Sequence, residues 1–236
     1  MAADSLVVSE IFGPTFQGEG PSTGRRCVFL RLAGCTLACS WCDTPYTWDW
    51  KGTNGVAFSP SREMREMTAD EIWAELRLRG SGFLVVSGGE PMLQQARLVP
   101  LLRRAAADGW RIEMETAGVR SPDAGIADLV TQFNVSPKLS SSGNPLRRRI
   151  NPVALRSLRS TRRAIWKFVA ADSADLREVA DVVASYDLAP VYIMPLGRTG
   201  DDVISIARAL APEVLDRGWN LTLRTHVILY GDMRGY

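Results

Sequence analysis

The chain has 236 residues, 46% of them hydrophobic and 23% charged, with a mean hydropathy of -0.05; this is the make-up of one domain with a full core, not of a disordered chain. A formal charge of +2 makes no case for nucleic-acid binding, and no apolar run approaches the length of a membrane span. Met1 to Val8 carries an aspartate and no basic residue, so no signal peptide is expected and the cytoplasm is the expected compartment. Thiols stay reduced there, which favours metal ligation over disulfides for clustered cysteines.

Cys27 to Leu32 is the first predicted strand, a run of apolar and β-branched residues bounded by Gly24 and Gly34. Cys27 therefore reads as a small buried strand residue. Residues 48–67, with glycines, prolines and mixed charge, read as an insertion ahead of the first helix. Thr68 with Glu71 resembles a capping box that opens a helix through Leu78. Strands follow at Phe83 to Val86 and Arg111 to Met114, separated by an amphipathic helix from Leu93 to Ala107 that Gly109 closes. Further strands are expected at Gln132 to Val135, Ala164 to Val169, Pro190 to Ile193 and Leu221 to Val227. Helices are expected at Asp172 to Tyr186 and Asp201 to Arg217, the latter interrupted at Pro212.

Residues 144–163 hold seven arginines, Arg147, Arg148, Arg149, Arg156, Arg159, Arg162 and Arg163, with no aromatic residue among them. They read as a loop and a solvated helix face, with an anion-binding role left open. The alternation of strands and helices over residues 1–236 argues for parallel βαβ units in one sheet or barrel, without a domain boundary.

Three of the four cysteines, Cys35, Cys39 and Cys42, lie in Cys35-Thr36-Leu37-Ala38-Cys39-Ser40-Trp41-Cys42, just after the first strand. A four-iron cluster normally takes four thiolates, so three leave one iron open to an exchangeable ligand. Zinc is the competing reading, with the single histidine, His226, as fourth ligand. In parallel α/β folds, chemistry gathers at the C-terminal ends of strands. The next strands end in Ser87-Gly88-Gly89-Glu90-Pro91, Glu115-Thr116-Ala117-Gly118 and Ser136-Pro137-Lys138, so these turns read as walls of one pocket.

The cysteine spacing and Gly88-Gly89-Glu90-Pro91 together resemble the radical S-adenosylmethionine enzymes. Glu10 to Gly20, Phe29 to Cys35 and Trp41-Cys42-Asp43-Thr44 are similar to 7-carboxy-7-deazaguanine synthases, and the resemblance thins between Asn144 and Arg163. It implies a single-domain α/β fold, a partial (β/α)6-type barrel. It also implies a lyase that converts 6-carboxy-5,6,7,8-tetrahydropterin to 7-carboxy-7-deazaguanine, losing ammonia, in queuosine-type 7-deazapurine biosynthesis. The implied cofactors are a 4Fe-4S cluster, S-adenosylmethionine and Mg2+. In the family a 5′-deoxyadenosyl radical takes hydrogen from C6 of the pterin, the ring contracts, and S-adenosylmethionine is regenerated.

The same resemblance assigns residues. Cys35, Cys39 and Cys42 hold the cluster. Trp41, Cys42, Asp43, Gly89, Glu115, Ser136, Pro137 and Lys138 bind S-adenosylmethionine, while Phe16, Gln17, Gly18, Arg31, Ser87 and Tyr236 bind substrate. Thr44 is a magnesium ligand. Physical readings stand beside these roles: Trp41 suits a core aromatic, Arg31 an internal salt bridge to a glutamate, and Cys42-Asp43-Thr44-Pro45 a simple turn. The tail from Gly231 to Tyr236 is expected to cap the substrate. A homodimer and a flavodoxin-type electron donor are the implied partners, with no membrane and no nucleic acid. A radical activase acting on a protein glycine and a non-enzymatic zinc module are the alternatives.

Overall fold

The computed structural model describes residues 5–231 and 233–236. In chain order its elements are β1 (Leu6–Phe16), β2 (Arg26–Leu32), α1 (Pro60–Glu63), β3 (Arg65–Met67), α2 (Ala69–Arg79), β4 (Phe83–Gly88), α3 (Gln95–Ala107), β5 (Arg111–Thr116) and α4 (Ala124–Leu129). They continue with β6 (Gln132–Val135), α5 (Leu146–Arg149), α6 (Pro152–Ser160), β7 (Ala164–Ala170), α7 (Ser173–Tyr186), β8 (Val191–Pro195), α8 (Gly200–Asp216), β9 (Asn220–Leu221) and α9 (Thr225–Tyr230). Among the described residues nine strands form one sheet in the order β3-β1-β2-β4-β5-β6-β7-β8-β9. β1 is antiparallel to both its neighbours, and every pairing from β2 to β9 is parallel. The sheet stays open between its edges β3 and β9, as a partial barrel requires.

Period-two alternation gives this sheet two different faces. Val28, Leu30 and Leu32 of β2 join Leu84, Val86, Ile112, Met114, Phe133, Val135, Trp166 and Phe168 in the main core under the helices. The residues between them face the concave side: Phe29 and Arg31 pair in register with Val85 and Ser87, and Glu115 with Asn134. Burying about a dozen large apolar side chains at roughly 1.5–3 kcal/mol each more than offsets leaving polar groups on the concave face. Cys27 is fully buried with Phe83 and Val85, and burial together with the nearby charges of Glu113 and Glu115 pushes its thiol up to about 12.

Several elements differ from expectation. β1 was read only as a motif, because its register against β2 slips twice and hides the alternation. β3 lies inside the 48–67 insertion and pairs with β1, so this segment extends the sheet. α8 runs unbroken through Pro212, since Ala207, Leu210 and Val214 on either side are buried and hold the helix down. Leu221 to Val227 is not a strand: β9 ends at Leu221 and α9 begins at Thr225, where the Thr225 N–H bonds to the Gly18 carbonyl at 2.9 Å. Backbone pairing to another segment has overridden a β-branched sequence there. The capping box at Thr68 and Glu71 forms as expected. No helix among the described residues is long and apolar enough to cross a membrane.

Candidate active site

The C-terminal ends of the parallel strands open on one cavity of about 520 Å³. Sixteen of the seventeen residues assigned from the sequence line it: Phe16, Gln17, Gly18, Arg31, Cys35, Cys39, Trp41, Cys42, Asp43, Thr44, Ser87, Gly89, Glu115, Ser136, Lys138 and Tyr236. The exception is Pro137, which is buried and absent from the lining; it backs the Ser136–Lys138 turn.

The cysteine loop is held by its neighbours. Asn144 accepts the Ala38 N–H at 3.0 Å and its amide approaches the Cys39 sulfur at 3.3 Å. The Trp48 indole N–H points at Cys42 at 3.3 Å, and the Leu37 N–H at Cys35 at 3.4 Å. Burial raises all three thiols, Cys35 to about 12, with Cys39 and Cys42 adding to the rise at Cys35, Cys42 to that at Cys39, and Asp43 to that at Cys42. They share one electrostatic pocket, none forms a disulfide, and each is protonated until a cation compensates it. That donor set fits an iron–sulfur cluster, whose iron supplies the missing positive charge. Among the described residues no three Cys, His, Asp or Glu side chains gather closely enough to hold a single ion. Ligands to three irons of one cluster stand farther apart than ligands to one ion, so this tells against zinc and not against a cluster. His226 stands instead beside Gly18, with its Nε2 3.9 Å from Glu19.

The glycine turn has a packing reason. A Cβ on Gly89 would lie 2.3 Å from the Gly34 carbonyl oxygen and 2.9 Å from the Cys35 Cβ, and Gly88 has a φ of +149°. The Gly89 N–H bonds to the Leu32 carbonyl at 3.1 Å and the Glu90 N–H to that of Gly34 at 2.8 Å. Absent side chains therefore let the turn clamp the start of the cysteine loop. Buried Glu90 accepts from the Thr116 hydroxyl at 2.8 Å and the Ala117 N–H at 2.9 Å, tying the turn to β5. Burial raises its carboxyl despite those bonds.

Buried charges cross the floor. Lys167 donates to Glu19 at 2.5 Å and Glu115 at 2.8 Å; Glu115 also accepts from Asn134 at 2.8 Å and Gln17 at 3.2 Å. Glu19 faces Arg224 at 3.5 Å, and Arg224 pairs with Asp43 on the cysteine loop. Burial pushes Glu19 up, but Lys167, His226 and Arg224 together bring it well below the usual carboxylate range. Glu115 is raised, by burial first and by the charge of Glu19, since Lys167 lies closer to Glu19. Near the mouth, Arg31 pairs with Glu10 at 2.6 Å and reaches Ser87 at 3.5 Å. Glu10 also accepts from Tyr46 at 2.7 Å and Arg234 at 3.2 Å.

Lys138 bonds to Ser136 at 2.8 Å and lies 5.7 Å from the centre of the Trp41 ring, which is partly exposed to the cavity and not a core aromatic. The tail reaches the mouth: Arg234 sits 3.9 Å above the Tyr46 ring and bonds Glu63 at 2.7 Å, while Tyr236 packs on Tyr230 at 4.9 Å. Asp232, within the expected cap, lies outside the described residues. Sequence reasoning missed Lys167, Glu19, Arg224 and Asn144. Only Lys167 left a signal, as a charge inside the apolar run Ala-Ile-Trp-Lys-Phe-Val-Ala, all seven residues of which are buried.

Residues 16–120 match the family described as 4Fe-4S single cluster domain. The chain is 34% identical over 237 residues to a 7-carboxy-7-deazaguanine synthase of Pyrobaculum aerophilum, covering 99% of each chain. It is 34% identical over 255 residues to the enzyme of that name from Bacillus subtilis, again with 99% of each covered. Its fold is similar to the crystal structure of QueE from Escherichia coli, with a TM-score of 0.73 at 24% identity over 94% of this chain and 95% of that one.

Proposed function

The chain belongs to the 7-carboxy-7-deazaguanine synthase family, and from that premise we propose that its cavity converts 6-carboxy-5,6,7,8-tetrahydropterin to 7-carboxy-7-deazaguanine with loss of ammonia. The observation that carries the reading is the meeting of three free thiols, the glycine turn and Arg31 on one cavity. Cys35, Cys39 and Cys42 hold the cluster. When bound, the cluster supplies one electron to the sulfonium of S-adenosylmethionine, the source of the hydrogen-abstracting radical.

The protein's own residues position the reactants. Gly89, Trp41, Asp43, Glu115, Ser136 and Lys138 orient S-adenosylmethionine. A carboxylate offers about four lone-pair sites, and three protein donors already point at Glu115, which leaves room for one ribose hydroxyl. Arg31 takes the substrate carboxylate on the edge of its guanidinium that Glu10 does not occupy, with Ser87 beside it. Phe16, Gln17 and Gly18 face the pterin edge, and Tyr236 closes the mouth. Thr44 offers a hard oxygen to Mg2+ together with substrate oxygens. The protein acts as a homodimer and takes electrons from a flavodoxin-type donor.

The test is anaerobic reconstitution with iron and sulfide, followed by S-adenosylmethionine, dithionite, Mg2+ and the carboxypterin. Formation of 7-carboxy-7-deazaguanine is the expected result. If 5′-deoxyadenosine accumulates and no deazapurine appears, the substrate assignment is wrong.

A further inference from the structure

Five of the seven arginines of the arginine-rich stretch fall into two groups. Arg149 is buried, pairs with Glu178 at 2.6 Å and bonds the Lys138 carbonyl at 3.0 Å; Arg163 caps the end of α4 through the carbonyls of Ala127, Asp128 and Val130; Arg159 pairs with Asp187. These are structural. Arg147 and Arg148 are exposed and, among the described residues, make no ion pair. With Arg120 they border a surface depression of about 680 Å³ that contains no Asp or Glu and takes in Thr36, the exposed residue that follows Cys35.

Among the described residues Arg120 makes no ion pair either, so three unpaired guanidiniums line a depression that takes in Thr36 of the cysteine loop. A second, mainly apolar hollow shares Arg147, Ile150 and Pro152 with the first and adds Pro145, Leu146 and Tyr186, with Leu146 63% exposed. The connection inward is short: Asn144, which bonds Ala38 and approaches the Cys39 sulfur, precedes Arg147 with only Pro145 and Leu146 between. A small apolar patch ringed by one sign of charge suits a weak, steered encounter of the kind redox partners make, because charge speeds association and little area is buried.

We propose that the Arg120, Arg147 and Arg148 depression beside Thr36 is the docking surface for an acidic protein that carries one electron at low potential. It rests on the reading that Cys35, Cys39 and Cys42 hold a cluster: the carrier is oxidised by one electron and the cluster reduced by one, with no bond made or broken. A duplex nucleic acid is the other polyanion that the charge alone would admit, but its phosphates gain nothing from the adjoining apolar hollow or from a position beside the cysteine loop.

The test uses the reconstituted holoenzyme and an acidic flavodoxin in its hydroquinone form, with association followed by surface binding and cluster reduction by stopped-flow absorbance. Arg147→Glu/Arg148→Glu should slow association by about 10-fold or more at low salt, and wild-type association should weaken between about 0.02 M and 0.3 M salt. The same charge change placed at Arg103 and Arg208 should cost much less. Arg120→Glu is a second variant, outside the arginine-rich segment. Turnover with dithionite should be unaffected in all of them. Equal losses in the Arg147/Arg148 and Arg103/Arg208 pairs would overturn the proposal, as would tighter binding of duplex nucleic acid than of flavodoxin at these arginines. Failure of wild-type turnover with dithionite would instead count against the reading of the site itself.

Discussion

Lys167→Met isolates what holds the floor of the cavity together. The ammonium lies 2.5 Å from Glu19 and 2.8 Å from Glu115, and its side chain is 4% exposed. At an effective dielectric of about 20, each contact is worth about 6 kcal/mol of Coulomb attraction before desolvation is charged against it. Methionine fills similar volume but leaves two carboxylates buried side by side without their shared cation. Removing one partner of a buried pair costs about 3–5 kcal/mol, a large share of the roughly 5–15 kcal/mol that holds a domain folded. Urea unfolding under anaerobic conditions, followed by far-UV circular dichroism, should show that loss at neutral pH. It should shrink on mild acidification, when one carboxyl takes up a proton, and Glu115, already raised, is the group to take it. Lys167→Met/Glu19→Gln should recover part of it. A loss below about 1 kcal/mol for Lys167→Met, unchanged by pH, would refute the account of the network as a compensated whole.

Other outcomes follow from single contacts. Ala at Cys35, Cys39 or Cys42 should abolish the brown absorbance after reconstitution, whereas Cys27→Ala should keep it, as read from iron content of the anaerobic protein. Gly18→Ala would drive a Cβ into the His226 ring, so the variant should be destabilised by about 1–3 kcal/mol; adding His226→Ala should restore most of its melting temperature, and failure of that rescue would make the His226 backbone nitrogen, 3.0 Å from the new Cβ, the obstacle. Burial, with Arg224 and Lys167 adding to it, depresses His226 below its ordinary value, against the pull of Glu19 and Asp43. Its contribution is therefore present above the unfolded pKa of about 6.5 and lost as pH falls through the folded value, so His226→Gln should flatten the stability profile over that window.

The parts of the molecule legible in the sequence were those where one local rule decided the outcome. The strands under the helices carried apolar residues on the face that packs against them, and the box at Thr68 and Glu71 fixed a helix start from four residues. The cysteine triplet and glycine turn were legible because close spacing in sequence became close spacing in space. Lys167, Glu19 and Arg224 come from β7, the loop after β1 and the segment before α9, and only the curl of the sheet brings them together. Apart from the apolar flanks of Lys167, nothing local distinguishes such residues from solvated charges. α9 was misread for a related reason: Thr225, His226 and Val227 favour a strand by themselves, and the bond from Thr225 to Gly18 favours a helix start. Pro137 went the other way, carried into the site by its neighbours although it is buried and does not line the cavity.

Many charges of the floor and mouth are paired: Glu113 with Arg111, Glu10 with Arg31 and Arg234, and Glu115, Glu19 and Asp43 with Lys167 and Arg224; among the described residues Lys138 and Arg198, which also line the cavity, make no ion pair. Lys138 bonds Ser136 and Arg198 the Cys42 carbonyl, so an entering anion meets a lining in which cations outnumber carboxylates. Arg31 itself is held by Glu10, so in the proposed reaction the substrate carboxylate has either to draw the guanidinium away from Glu10 or to share it with the help of a further cation. The first route costs a buried pair 2.6 Å long. The second needs a hard oxygen on the same cavity that is not committed to the fold. Thr44 qualifies, since it lines the cavity, does not cap the turn Pro45–Thr47 through its side chain, and has only the Cys42 sulfur near its hydroxyl, at 3.8 Å. In the proposed reaction magnesium at Thr44 would let Arg31 keep Glu10 and still orient the substrate, and its first task there would be to offset the charge of the two carboxylates.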